Sequence, residues 1–110
     1  MRFGHVYLIV PKSEGSKRPN RFAFRCRDGG KVYSVPKLQH LSGDGSDYIE
    51  SAIADKVDEI RMTRRLLIIE CPEAEDEIRR MAGDQIAHLS NQWAEASTAT
   101  VGESDGSADS

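Results

Sequence analysis

Residues 21–36 read Arg21-Phe22-Ala23-Phe24-Arg25-Cys26-Arg27-Asp28-Gly29-Gly30-Lys31-Val32-Tyr33-Ser34-Val35-Pro36. Phe22, Phe24 and Cys26 alternate with Arg21, Ala23, Arg25 and Arg27, the period-2 pattern of a half-buried strand with a basic outer face. Asp28-Gly29-Gly30 suits the positive φ angles of a tight turn, and Lys31 to Val35 returns as a second strand. Pro36 has no amide proton for a ladder and ends it. A β-hairpin is therefore expected in a chain whose remainder reads as helix, which makes the class α+β.

After the hairpin, Ser42-Gly43-Asp44-Gly45-Ser46 is a turn cluster. Asp47 with Glu50 three residues later resembles a capping box, so a helix start is expected there. Ile49, Ile53, Val57, Ile60, Arg64 and Leu67 follow at spacings of three or four, predicting one long helix. Leu66-Leu67-Ile68-Ile69 is a continuous apolar run. On a helix it cannot face one side, so it is either buried all round or in contact with a partner; a short strand is the alternative. Cys71-Pro72-Glu73-Ala74-Glu75 opens another helix, with proline at the first position and acids at the positive end of the dipole. Ile78, Met81 and Ala82 form its inner face. Gly83 is read as its stop, and Asp84 as the cap of a last helix whose stripe is Ile86, Leu89 and Trp93.

Upstream, Phe3 to Val10 is rich in strand formers and is an optional third strand. Residues 11–20 combine Pro, Gly, Ser and Lys and read as a flexible linker. The expected organisation is one domain over residues 1–96, a hairpin plus about three helices, followed by a disordered acidic tail over 97–110.

The 110 residues suffice for one small domain, marginal alone, so self-association or a partner is expected. The net charge of -3 hides an asymmetry: residues 1–40 carry nine Lys/Arg against two acids, and the rest six against sixteen. The basic front half could meet phosphates, or the acidic half of another copy, or simply be solvated. Lys12, Lys17, Arg18, Arg21, Arg25 and Arg27 interleave with Phe22 and Phe24, but the alternation turns the rings away from the arginines, which disfavours base stacking. No run approaches the roughly 20 apolar residues of a membrane span. Val6 to Val10 is followed by Pro11-Lys12-Ser13-Glu14, unlike a cleavage site of small residues, so no signal peptide is expected. Cys26 and Cys71 are expected as reduced thiols.

Motifs for chemistry are sparse. His5, His40 and His88 are scattered, and no Cys-x-x-Cys or His-x-x-x-His occurs. Asp44-Gly45-Ser46-Asp47 lacks the alternating acids and distal glutamate of a calcium loop. Gly29-Gly30 and Gly43-x-Gly45 have neither phosphate-loop spacing nor a following Lys-Ser/Thr. Glu73 to Glu77 sits at a helix start as a dipole-matched face. The expectation is a protein with no cofactor and no metal that is not an enzyme.

Two blocks carry a resemblance. Phe22-x-Phe24, the Gly-Gly-Lys turn and Tyr33-Ser34-Val35-Pro36-Lys37-Leu38-Gln39-His40-Leu41 resemble the N-terminal hairpin and the Pro-x-Leu segment of tail assembly chaperones from siphophages of actinobacterial hosts. Asp84 to Ser104 resembles their C-terminal block, with Trp93-Ala94-Glu95-Ala96-Ser97 and then Gly102-Glu103-Ser104. Asp58-Glu59-Ile60 to Pro72 has a similar helical layout between them. The likeness covers residues 21–104, while Phe3 to Val10 and the charge of the helix after Asp47 depart from it.

The resemblance implies a non-enzymatic assembly factor in the host cytoplasm, absent from the mature virion. It would bind the tape measure protein and keep it soluble, and help recruit the major tail tube protein. In the family a programmed frameshift yields a longer form, a further partner besides a homo-oligomer; the tail after Ser97 would be the point of divergence. Leu66, Leu67, Ile68, Ile69, Ile86, Leu89 and Trp93 are the candidate partner contacts, with ordinary core as the competing assignment. Two other functions compete: a small nucleic-acid-binding or regulatory phage protein, and a minor structural subunit of the virion.

Overall fold

The computed structural model describes residues 7–98. The fold is α+β: a two-stranded antiparallel hairpin followed by four α-helices. Strand β1 (Arg21–Arg25) pairs with β2 (Val32–Pro36), with Phe22 opposite Val35 and Phe24 opposite Tyr33. Those four side chains share the inner face, as the alternation requires. The strands end earlier than expected, so the connection runs over residues 26–31 rather than as a tight two-residue turn. Within it Gly30 N donates to Arg27 O at 2.9 Å, and Gly29 takes the positive φ, 74°.

The long helix expected from Ile49 to Leu67 is two helices, α1 (Gly43–Ala54) and α2 (Glu59–Glu70). Lys56 adopts φ 57°, a left-handed residue that no continuous helix admits. Asp58 then caps α2, its carboxylate accepting from Arg61 N at 3.0 Å. The apolar periodicity runs through the break although Ile53 and Ile60, on either side of it, are exposed, so the period alone conceals it. Arg64, the one charged member of that series, reaches across to α3. Its Nη1 donates to the carbonyls of Ile78, Arg79 and Met81 (2.8, 3.3 and 2.9 Å), satisfying orphan groups at the end of that helix.

Helix α1 also starts earlier than Asp47. Ser42 is its cap, with Oγ accepting from Gly45 N at 3.1 Å. Glu70, at the end of α2, accepts from Ser42 Oγ at 2.8 Å and places its carboxylate at the positive end of α1. A Cβ on Gly45 would meet that carboxylate, so a side chain here would displace Glu70 from the Ser42 cap. A 3-10 turn over Pro72–Ala74 leads into α3 (Glu75–Arg80), and α4 spans Gly83–Thr98. Asp84 thus lies in the first turn of α4; the capping contact comes from Gln85, whose Oε1 accepts from Ala82 N at 2.7 Å.

Helix α2 is the central element, packed against α1, α3, α4 and β2. This decides the Leu66–Ile69 run: the segment is helical, not a strand. Leu66, Leu67 and Ile68 are buried and Ile69 is half-buried. Val35, Leu67, Ile78 and Ile86 are fully buried, with Trp93 2 % exposed.

Two boundaries need correction. Residues 11–20 are not a flexible linker. They form 3-10 turns over Glu14–Ser16 and Arg18–Asn20; Ser13 Oγ accepts from Gly15 N, and Asn20 Nδ2 donates to Glu14 O at 2.8 Å. Gly15 is buried so tightly that a Cβ would lie 2.6 Å from His40 O. The tail does not begin at Ser97, because Ser97 and Thr98 belong to α4 and Ser97 is 8 % exposed. The rest of the expected tail, 99–110, lies outside the described residues. So do residues 3–6 of the optional third strand, whose remainder, Tyr7 to Val10, is exposed and without regular structure.

Candidate binding groove

The C-terminal half of α4 is tied to the chain that leaves the hairpin. Trp93 lies on the stripe Ile86–Leu89–Trp93, which faces β1 and α2, and its ring stacks on Phe22 (centroids 6.4 Å apart, 11° between planes). Its Nε1 donates to Pro36 O at 2.9 Å, meeting the need of a buried indole N–H. One turn later, Ser97 Oγ accepts from Leu38 N (2.8 Å) and donates to Trp93 O (2.7 Å), while Gln39 Nε2 donates to Ser97 O (2.9 Å). The stripe therefore runs on to a small hydroxyl residue. A hydroxyl at this position supplies the acceptor that Leu38 N needs.

Beside this junction an open apolar groove of about 460 Å3 runs between α1, α2 and α4. Ile49 and Val57 form one wall, Met62 and Leu66 the floor, and Trp93, Ala94 and Leu38 the other wall. At one end the groove turns polar. Thr63 Oγ1 donates to Ser90 Oγ (3.3 Å), which donates to Glu59 Oε2 (3.1 Å), leaving an acceptor carboxylate at the exposed end. An apolar helix or strand with a basic flank matches these walls and this end.

Of the seven candidate contact residues, only Leu66 and Trp93 reach the groove. Leu67, Ile68, Ile86 and Leu89 are buried among the chain's own side chains, and Ile69 is half-buried at the α2 surface. Leu38, Ile49, Val57, Met62 and Ala94 complete the groove and were not singled out by sequence. Ile49 and Val57 did carry a signal, membership of the apolar series, and Leu38 and Ala94 lie in the two resembling blocks; Met62 carried none, since its role comes from the tertiary gap.

Elsewhere several polar side chains on and beside the hairpin are engaged within the chain. Arg21 donates from Nε to Ser34 Oγ and from Nη1 to Gly15 O. Phe22 and Phe24 stack together on the inner face of the hairpin, so neither ring is presented beside the arginines. Tyr33 Oη donates to Glu77 Oε2 at 2.7 Å, and this bond pushes its phenol up to about 12. Cys26 and Cys71 have raised thiol pKa values, chiefly from burial, which disfavours the reactive thiolate. No group of three His, Cys, Asp or Glu is placed to hold a metal among the described residues, and no described helix is long and apolar enough to cross a membrane. Comparison with protein-family models, curated proteins and solved structures finds no match to this chain.

Proposed function

We propose that this protein is a tail assembly chaperone of the siphophage type, holding an apolar segment of a tape measure protein in the groove between α1, α2 and α4. One observation carries the reading. The two blocks that resemble the family are a single physical unit, with Trp93 bonded to Pro36 and Ser97 to Leu38. The groove opens at their junction, and Leu38, Trp93 and Ala94 from those blocks line one wall. A tape measure is long and rich in apolar helical surface, and a groove of this size covers a few side chains at a time. That suits transient solubilisation by many copies, with release as tail-tube subunits replace them, and it requires no catalytic group.

The test uses co-expression with the cognate tape measure protein. Ala94 is exposed on the groove wall, so Ala94→Trp fills the groove while removing no core contact. The wild-type chain is expected to keep the tape measure soluble and to co-purify with it. Ala94→Trp should keep the wild-type circular dichroism spectrum and lose both properties. A folded Ala94→Trp chain that solubilises as well as wild type overturns the groove as the site, and a wild-type chain that never co-purifies overturns the function.

A further inference from the structure

Tyr7, Leu8, Ile9 and Val10 are 75 %, 85 %, 77 % and 79 % exposed, four consecutive large apolar residues that their own domain leaves in water. Three of them are strong strand formers, and a solvent-facing apolar run of this kind marks an interaction segment.

The hairpin offers a place for such a segment. Lys37 N donates to Asn20 O at 2.8 Å, which sets the phase of the ladder. The pairs Phe22–Val35 and Phe24–Tyr33 are then bonded to each other, and the N–H and C=O groups of Ala23 point away from β2. Among the described residues the sheet has two strands, so β1 is an edge, and Ala23 is exposed on it. Between β1 and α4 lies a further gap of about 240 Å3, lined by Cys26, Met81, Gln85 and Leu89 among others. Alternate side chains of a strand added to β1 would fall into this gap. A lone hairpin is a marginal sheet, and a third strand completes it.

We propose that Tyr7–Val10 of one copy adds as a third strand to the β1 edge of a second copy, so that this chain dimerises by exchange of its N-terminal arms. The attachment of the arm favours exchange over pairing with its own β1. Gly15 is wedged against Pro36 and His40, on the β2 side of the hairpin, and Arg21 Nη1 holds Gly15 O at 3.1 Å. Only a few residues separate Val10 from this anchor, and the anchor lies across β2 from the free edge. The area suffices as well. With these exposures an arm carries on the order of 600 Å2 of accessible surface, and two arms with the edges they cover reach the ~1,200–2,000 Å2 of specific interfaces. The exchange stands whether or not the groove holds a tape measure.

Sedimentation velocity of the full chain over a range of concentrations tests it. Wild type is expected to dimerise reversibly. Leu8→Lys/Ile9→Lys, at side chains exposed in the monomer, should raise the dissociation constant at least tenfold with unchanged thermal unfolding of the monomer. Ala23→Pro removes an outward N–H from the β1 edge and should do the same. Mixed together, the two variants should associate more strongly than either alone, because one supplies an intact edge and the other an intact arm. In the wild-type dimer the Ala23 amide should be protected from hydrogen exchange, and in the arm variant exposed. A wild type that stays monomeric, with or without a protected Ala23 amide, overturns arm exchange, as does an arm variant that dimerises like wild type.

Discussion

Helices α1 and α4 both carry an apolar stripe, and the fold treats them in opposite ways. Helix α4 buries Ile86, Leu89, Trp93 and Ser97 against the hairpin and α2. Helix α1 buries only Gly45 and Ala52, leaving Ile53 65 % exposed and Ile49 half-buried on the groove wall. The difference lies in what each helix has opposite it. Helix α4 faces two layers and is bonded to residues 36–39. Helix α1 has α2 on one side, where Tyr48, Ile49 and Ala52 turn inward, and is tied at its N-terminus by Glu70 at the Ser42 cap. An apolar stripe therefore does not say whether its surface is already covered, and the groove exists because α1 stands off from α4.

If that contrast holds, the largest loss comes from the closed side. Trp93→Ala empties a fully packed site and removes the bond to Pro36 O, and is expected to cost about 3–5 kcal/mol in urea unfolding. Trp93→Phe, which keeps an aromatic ring on Phe22 but not the N–H, should fall well between the two. A Trp93→Ala cost below about 1 kcal/mol would mean that α4 is held no better than α1.

The second test addresses the α1 anchor. Glycine to alanine inside a helix ordinarily stabilises by about 0.5–1 kcal/mol. Gly45→Ala should instead cost up to about 1.5 kcal/mol, because the new methyl displaces the end of the Glu70 side chain from its bonds to Ser42. In a Glu70→Ala background most of that cost should vanish, and the double-mutant cycle reads the coupling. Equal costs in both backgrounds would remove Glu70 as the pin of α1. Smaller again, Ser97→Ala should cost about 1 kcal/mol through the lost acceptor for Leu38 N. No cost at all would place the functional end of α4 near Ala96.

These effects also mark what the sequence could convey. The hairpin was legible because alternation and the Gly-Gly turn are local, and the α4 stripe because its period is unbroken. The break at Lys56 was hidden, since Ile49, Ile53, Val57 and Ile60 keep helical spacing across it. The Ser42 cap was missed because Asp47 and Glu50 offer a stronger local signature, whereas the real cap draws on Glu70, 28 residues away. Ser97 looked like the start of a tail because its partners, Leu38 and Gln39, are nearly sixty residues distant. For the groove, sequence pointed to the most apolar residues, Leu66 to Ile69, and the central position of α2 buries most of them. The residues that line an opening are less buried, half-buried Met62 and exposed Ala94 among them, and no hydrophobic pattern distinguishes these before the helices are placed.

The smallest expected effect is the most discriminating. Ile53 is a large β-branched residue in mid-helix, and by sequence its replacement should cost as much as any core change. At 65 % exposure it has little to lose. Ile53→Ser should change unfolding free energy by no more than about 0.5 kcal/mol, and Ile53→Ala should be neutral or slightly stabilising through helix propensity. A cost of 2 kcal/mol or more in the isolated chain would show that α1 closes onto another surface in solution, and the contrast between the two helices would collapse. If the cost is small alone but grows on co-expression with a tape measure protein, Ile53 belongs to the rim that the partner covers. The open side of the molecule would then extend from the groove across the outer face of α1.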